Sequence, residues 1–117
     1  MRIAIDVDDC ISNTAEVDFV TCWEYNKRIN PNDKKKYVSG YHNAPTIFGF
    51  TKQQDDEFYI YQRKLCIEQD LIKPKIFADK IIGKLLSDGN EIIILTSRGD
   101  KYWGDALSET KKWLDRY

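Results

Sequence analysis

The chain opens on RIAIDVD, small and β-branched apolar residues with no helical period that run into polar residues able to start a turn. That pattern predicts a short central strand from Arg2 to Asp8. Ser12 and Asn13 are both good caps, and beyond them Val17, Val20 and Trp23 share one side, so a helix is predicted from Asn13 to about Ile29, where Pro31 stops it. Tyr37 to Phe50 mixes glycine, proline and aromatics without a period and predicts an irregular loop or short hairpin. Thr51 caps a second helix with Phe58, Tyr61 and Leu65 on its buried side, Ile72 beyond them, and acids in the first turns, where the helix dipole favours them. Pro74 precedes an amphipathic helix bearing Ile76, Phe77, Ile81, Leu85 and Leu86, which SDGN stops ahead of the apolar run EIIILTS. Helix, turn and buried strand in that order make half of a parallel βαβ unit. After Arg98 the chain turns into a last helix carrying Leu107, Lys111 and Leu114.

Composition narrows the classes without naming one. The 117 residues suffice for one domain with a modest core. Eighteen Lys and Arg against nineteen Asp and Glu give no general attraction for nucleic acid polymers or acidic membranes. The basic run Lys34 to Lys36 reads as a solvated loop. The amino terminus turns acidic too soon for a signal peptide, and no window approaches the ~18 apolar residues of a membrane span, so a cytoplasmic protein with no membrane partner is expected. Cys10, Cys22 and Cys66 are odd in number and lack CxxC spacing, which predicts buried, reduced thiols rather than a disulfide framework or zinc site.

Chemistry concentrates where the two predicted strands end. In an open parallel sheet, ligands bind outside the carboxyl ends of the strands, so Asp6, Asp8 and Asp9 would face Thr96, Ser97 and Arg98 across one site. Asp6 and Asp8, two apart in an extended strand, would project to the same side, where both stay ionised only beside a compensating cation. A hard divalent ion such as Mg²⁺ suits oxygen ligands, and with the hydroxyl, amide and guanidinium donors of the second strand end it would neutralise a phosphate ester. The competing reading is plain: acids after a strand often form a turn or cap the next helix.

IAIDVDDCISNT resembles the nucleophile motif, DxDx(T/V), of the haloacid dehalogenase (HAD) superfamily, and GNEIIILTSRG resembles its second motif, a hydrophobic strand ending in Thr or Ser. KPKIFADKIIGKLLSDGNEIIILTSR is similar to the helix and strand of the branch containing 5′(3′)-deoxyribonucleotidases and their bacterial relatives. The resemblance implies an α/β, HAD-like Rossmannoid parallel sheet, incomplete here, formed by residues 1–12 and 74–117. Residues 13–73 would be a small helical cap inserted after the first strand. It implies Asp6 as the nucleophile that forms an aspartyl-phosphate and Asp8 as general acid and base. Mg²⁺ would bind the Asp6 carboxylate and the Asp8 carbonyl, and Thr96 would hold the phosphate with backbone amides near Asp8 and Asp9, helped by Ser97 and Arg98. The implied reaction is hydrolysis of a small phosphomonoester, a nucleoside monophosphate by branch resemblance, with Trp23, Tyr41, Phe48 and Phe50 as candidates to stack on a base.

Cys10 stands where the family pattern has Thr or Val. The family's third motif, with a lysine, and its fourth, with acids that complete the metal site, have no counterpart up to ETKKWLDRY, and Asp100 and Asp105 directly follow the second motif rather than a third strand. The expectation is a chain that resembles the front of a phosphatase, with weak or absent activity of its own and an unpaired sheet edge that a homodimer would supply. Two rivals stay open: a catalytically dead phosphate-binding module, and a receiver-type phosphoacceptor domain, which needs an Asp at the end of an intervening strand.

Overall fold

A computed structural model describes residues 1–33 and 48–117. The run Lys34 to Lys36, Tyr41 and most of the predicted Tyr37 to Phe50 loop lie outside the described residues. The fold is mixed α/β. Strand β1 (Arg2–Asp6) pairs in parallel with β2 (Glu91–Leu95), with Arg2 opposite Glu91 and Asp6 opposite Leu95. Helices α1 (Thr14–Ile29) and α2 (Lys52–Gln69) follow β1, α3 (Ala78–Ser87) leads into β2, and a single turn α4 (Asp100–Trp103) precedes α5 (Ala106–Arg116).

The first strand ends at Asp6, two residues before the predicted limit. Val7–Ile11 makes one wide turn, closed by the Ser12 N–H and hydroxyl, which both donate to the Val7 carbonyl at 3.1 and 3.0 Å. Asp9 takes φ 65°, the left-handed region that Asp tolerates better than most side chains. Asp8 therefore stands in the turn, and the expectation that it shares one side of an extended strand with Asp6 is corrected.

Helix formation follows local signals more closely than helix orientation does. Thr51 and Gln54 make a capping box at the start of α2: the Gln54 N–H donates to the Thr51 hydroxyl at 3.2 Å, and the Thr51 N–H to the Gln54 side chain at 3.0 Å. The faces turn out differently. In α1, Phe19, Cys22 and Asn26 are buried while Val20 is 44% exposed, because the large aromatic side chain decides which stripe turns inward. In α2 the buried stripe is Phe58, Gln62 and Cys66, and Tyr61 stays exposed. In α3 no residue is fully buried; only Ala78 and Ile82 pack against the core.

Two apolar clusters result among the described residues. Val7, Ile11, Cys66, Ile72, Trp103, Ala106 and Trp113 form one, with Ile5, Ile82, Ile94 and Leu114 at its margin and the Trp113 indole N–H donating to the Ile72 carbonyl at 2.8 Å. Phe19, Cys22, Phe48 and Phe58 form the other, between α1 and α2. Among the described residues the sheet is covered on one face: Ile3, Ile5, Ile92 and Ile94 turn inward, while Ala4, Asp6, Ile93 and Leu95 are exposed. The fully buried central strands that the sequence predicts are thus half-buried among the described residues. Two backbone links close the base of the α1–α2 excursion: the Asn13 N–H donates to the Lys73 carbonyl at 3.0 Å, and the Lys75 N–H to that of Ile11 at 2.8 Å.

Candidate functional site

Parallel pairing brings the carboxyl ends of β1 and β2 side by side, so the wide turn after Asp6 faces the segment after Leu95. Arg98 crosses from the second to the first. Its Nε donates to Asp8 Oδ2 at 2.9 Å and its Nη2 to Oδ1 at 2.7 Å, a bidentate pair with the arginine side chain only 2% exposed. The Arg98 guanidinium also stacks 4.1 Å from the Trp103 ring centre. A second support comes from below: Thr14 donates its hydroxyl to Asp8 Oδ1 at 2.6 Å and lies 2.7 Å from the Ser12 hydroxyl. Burial pushes the Asp8 carboxyl up, but the hydrogen bonds from Arg98 and Thr14 and the Arg98 charge outweigh it and hold Asp8 below the usual carboxylate range.

The neighbouring acids take separate roles. The Asp9 carboxylate accepts the Ala15 N–H at 2.5 Å at the start of α1, where the helix dipole favours a negative charge, and the Asp9 carbonyl accepts a hydrogen bond from the Lys75 ammonium. Of the two chemical faces of Asp9, only its backbone N–H is suited to an anion. Asp6 is exposed at the end of β1 and stands outside the cleft formed by its neighbours. Thr96 and Ser97 are exposed too; the Thr96 hydroxyl accepts the Arg98 N–H at 3.2 Å, a turn that aims the arginine back toward Asp8.

That cleft holds about 240 Å³ and is walled by Asp8, Ser97 and Arg98 on the strand side and by Asp18, Tyr59, Arg63 and Tyr102 on the helical side. Asp18 of α1 and Arg63 of α2 form a bidentate pair, with Nη2 to Oδ2 at 2.9 Å, and the Gln62 amide donates to the same carboxylate at 2.9 Å. The Arg63 guanidinium lies 5.2 Å from the Tyr59 ring and 5.0 Å from Trp103. Burial pulls the Arg63 pKa down, but Asp18 outweighs it and holds the arginine charged. Trp103 thus touches both guanidiniums of the cleft. Tyr102 donates its hydroxyl to Asp56 at 2.7 Å and its ring lies 5.6 Å from that of Tyr59.

Sequence reasoning missed Asp18, Tyr59, Arg63, Tyr102 and Trp103. An acid in mid-helix reads as solvated until its partner, 45 residues further along, is known. The aromatics it favoured sit elsewhere: Phe48 is core in the α1–α2 cluster, and Phe50 and Trp23 pack on it, with the Lys27 ammonium 3.3 Å from the Trp23 ring centre. Of the thiols, Cys22 and Cys66 are buried, and burial pushes them up to about 12 and about 11; Cys10 is exposed, against expectation.

Among the described residues no group of three or more His, Cys, Asp or Glu converges to hold a metal. The hard oxygens at hand are the Asp6 carboxylate, which has no partner among the described residues, and the main-chain carbonyl of Asp8 beside it in the chain. They suit Mg²⁺, which keeps several waters and is commonly held through one or two carboxylates plus a substrate phosphate. No described helix is long and apolar enough to cross a membrane. Comparison with protein-family models, curated proteins and solved structures returns no match for this chain.

Proposed function

We propose that this chain is a Mg²⁺-dependent phosphomonoester hydrolase of the HAD type, with nucleoside monophosphates as its substrate class. The observation that carries the reading is the Asp8–Arg98 bridge, since it joins the turn after one parallel strand to the segment after the next, where the resemblance expects nucleophile and phosphate donors to meet. On this reading residues 1–12 and 74–117 are the core and residues 13–73 the cap; the links at Asn13–Lys73 and Ile11–Lys75 support that division.

Asp6, exposed and without a partner among the described residues, is the nucleophile: its oxygen attacks phosphorus, the ester oxygen leaves, and an aspartyl-phosphate forms on it. Mg²⁺, when bound by Asp6 and the Asp8 carbonyl, supplies positive charge to the phosphoryl oxygens. Asp8 gives its proton to the leaving oxygen and then takes one from the water that cleaves the intermediate. Thr96, Ser97, the Asp9 N–H and Arg98 hold the phosphate. For Asp8 to donate a proton, Arg98 must release it, and a phosphate dianion is the kind of bidentate partner that competes for a guanidinium. Tyr59 and Tyr102, rather than Trp23, Phe48 and Phe50, line the space left for the rest of the substrate.

One observation favours a second reading. With Arg98 clamped on it, Asp8 is ionised and has no proton to give, which suits a phosphate-binding module without turnover. The test is Mg²⁺-dependent phosphate release from a panel of nucleoside monophosphates and an aryl phosphate, by the full chain and by Asp6→Asn. Release that disappears in the folded variant supports the hydrolase. A folded, inert chain that binds inorganic phosphate by calorimetry replaces it with the binding module, and release indifferent to Asp6→Asn removes the assigned nucleophile.

A further inference from the structure

Arg98 and Trp103 wall two spaces. One is the cleft; the other, of about 240 Å³, lies between the end of α2 and α5 and takes no part in the proposed reaction. Its walls are largely apolar. Ile67, Ile72, Trp103 and Trp113 supply carbon surface, and Cys66 adds a thiol that burial keeps neutral. The Trp113 N–H is spent on the Ile72 carbonyl, and the Arg98 guanidinium on Asp8 and the Trp103 ring, so the strongest donors of the wall are already taken. Size limits the occupant. An apolar cavity of ~150 Å³ accepts a benzene ring, and drug-sized ligands need ~300–1,000 Å³, so this one suits a ring with a short side chain.

Charge is confined to the mouth, where the lining residues Lys112 and Arg116 are exposed. Among the described residues the side chains around this space, counted with those they pair with, do not cancel. Arg98 answers Asp8 and Lys112 answers Glu109, each at 2.7 Å, whereas Lys73 and Arg116 both converge on Asp70, at 2.7 and 2.6 Å. One positive charge is left over, beside an apolar interior.

We propose that this cavity is a binding site for a small aromatic monocarboxylate, its ring among Trp103, Trp113, Cys66 and Ile72 and its carboxylate at the mouth beside Arg116 and Lys112. Flat indole faces and a thiol favour an aromatic ring over a flexible chain, which would lose more conformational freedom on entry. A single carboxylate matches the surplus charge, whereas inorganic phosphate would leave the isoleucines and indoles facing water. The site is separate from the proposed reaction, yet its occupant would rest against Arg98 and Trp103, which also wall the cleft.

The experiment is calorimetric titration of the full chain with trans-cinnamate, with its neutral amide, cinnamamide, and with octanoate. Cinnamate is expected to bind with a Kd between ~10 μM and ~1 mM, as befits so small a ligand, and the other two about fivefold more weakly or worse. Ile67→Glu sets a negative charge at the wall, on a side chain already 36% exposed, and is expected to weaken cinnamate by about tenfold or more with the circular dichroism of the fold kept. Arg116→Gln removes the surplus charge while Asp70 keeps Lys73 and Tyr117, and is expected to cost about threefold in affinity for cinnamate and nothing for cinnamamide. Magnetic resonance supplies the location: the indole N–H signals of Trp103 and Trp113 should shift on binding and that of Trp23, in the other cluster, should not. Should Ile67→Glu not fold, Arg116→Gln and the indole shifts decide. No binding up to ~10 mM, amide or octanoate bound as well as cinnamate, affinity indifferent to the substitutions, or a shift confined to Trp23 overturns the proposal.

Discussion

At the level of single residues, the cleft is organised by two arginines that each neutralise an aspartate and share one tryptophan. Arg98 is the more exposed to test, because removing it leaves Asp8 in a largely enclosed place with only the Thr14 hydroxyl. Deleting one partner of a fully buried pair costs about 3–5 kcal/mol; Asp8 keeps 24% of its side-chain surface in water, so Arg98→Ala is expected to cost about 2 kcal/mol in urea unfolding at pH 7. The pH dependence supplies the control. Asp8 is depressed in the folded state, so its contribution is present above the unfolded carboxylate pKa of 3.8 and is lost as pH falls through the lower folded value. The loss caused by Arg98→Ala should therefore shrink below pH 4, and a penalty unchanged from pH 7 down to pH 3 would show that Arg98 stabilises by packing on Trp103 and not by pairing. A second carboxylate follows the same sign. Burial pushes Asp70 up, yet Lys73, Tyr117 and Arg116 together bring it down to about 2, with Lys73 at 2.7 Å and Arg116 at 2.6 Å. Its contribution is complete above 3.8 and disappears between pH 4 and 2, so Asp70→Asn should flatten the acid limb of a stability curve in that window and leave the slope above pH 5 untouched.

Among elements, α2 joins the two apolar clusters through Phe58 and Cys66, and its start is defined by side chains that water can reach. Thr51→Ala removes one half of the capping box and is expected to cost about 1 kcal/mol in urea unfolding, while Thr51→Ser should cost much less, because serine restores the acceptor. The Thr51 cap was legible in the sequence, while the return bond from Gln54 emerged only in the fold. So were the two strands, their order, and the helix–turn–strand unit ending at Leu95. These are signals carried by near neighbours along the chain. What the sequence did not disclose depends on partners far apart. Gln62 occupies a buried position because Asp18 and Arg63 satisfy its amide, and a polar residue at that place in the period shifts the expected face of α2 toward Tyr61. The strand limit was missed for a similar reason: Asp8 looks like a strand residue until Ser12 closes the turn on Val7 and Arg98 comes across to meet it. At the site, strand-end logic brought Asp8 and Arg98 together correctly, whereas the helical wall of Asp18, Tyr59 and Arg63 has no local signature.

Among its described residues the molecule has two apolar clusters, and the question for its energetics is whether they unfold as one unit. The contacts between them are specific. Tyr59 packs on the α1–α2 cluster and its ring meets Tyr102, which packs on the sheet cluster; Arg63, anchored on Asp18 of α1, lies against Trp103, which belongs to the sheet cluster; and the Tyr102 hydroxyl reaches Asp56 of α2. None of these contacts survives if the α1–α2 pair separates from the sheet. Loss of packing in one cluster is therefore transmitted to the other, and a small chain whose clusters share so many side chains is expected to unfold in one cooperative step. Phe58, fully buried between α1 and α2, tests this from a distance. Phe58→Ala deletes a ring from the α1–α2 cluster and is expected to destabilise the chain by about 3–4 kcal/mol. The tryptophans Trp103 and Trp113 lie in the sheet cluster, and Trp23 beside the other, so near-ultraviolet dichroism reports on both sides while far-ultraviolet dichroism follows helix content. In the wild type and in Phe58→Ala the two signals should be lost at the same urea concentration, shifted together by the substitution. A variant that loses helix first, with the tryptophan signal of the sheet cluster retained, would mean that the Arg63, Tyr59 and Tyr102 contacts are too weak to couple the helical excursion to the strands, and the cleft between them would then open without unfolding the rest.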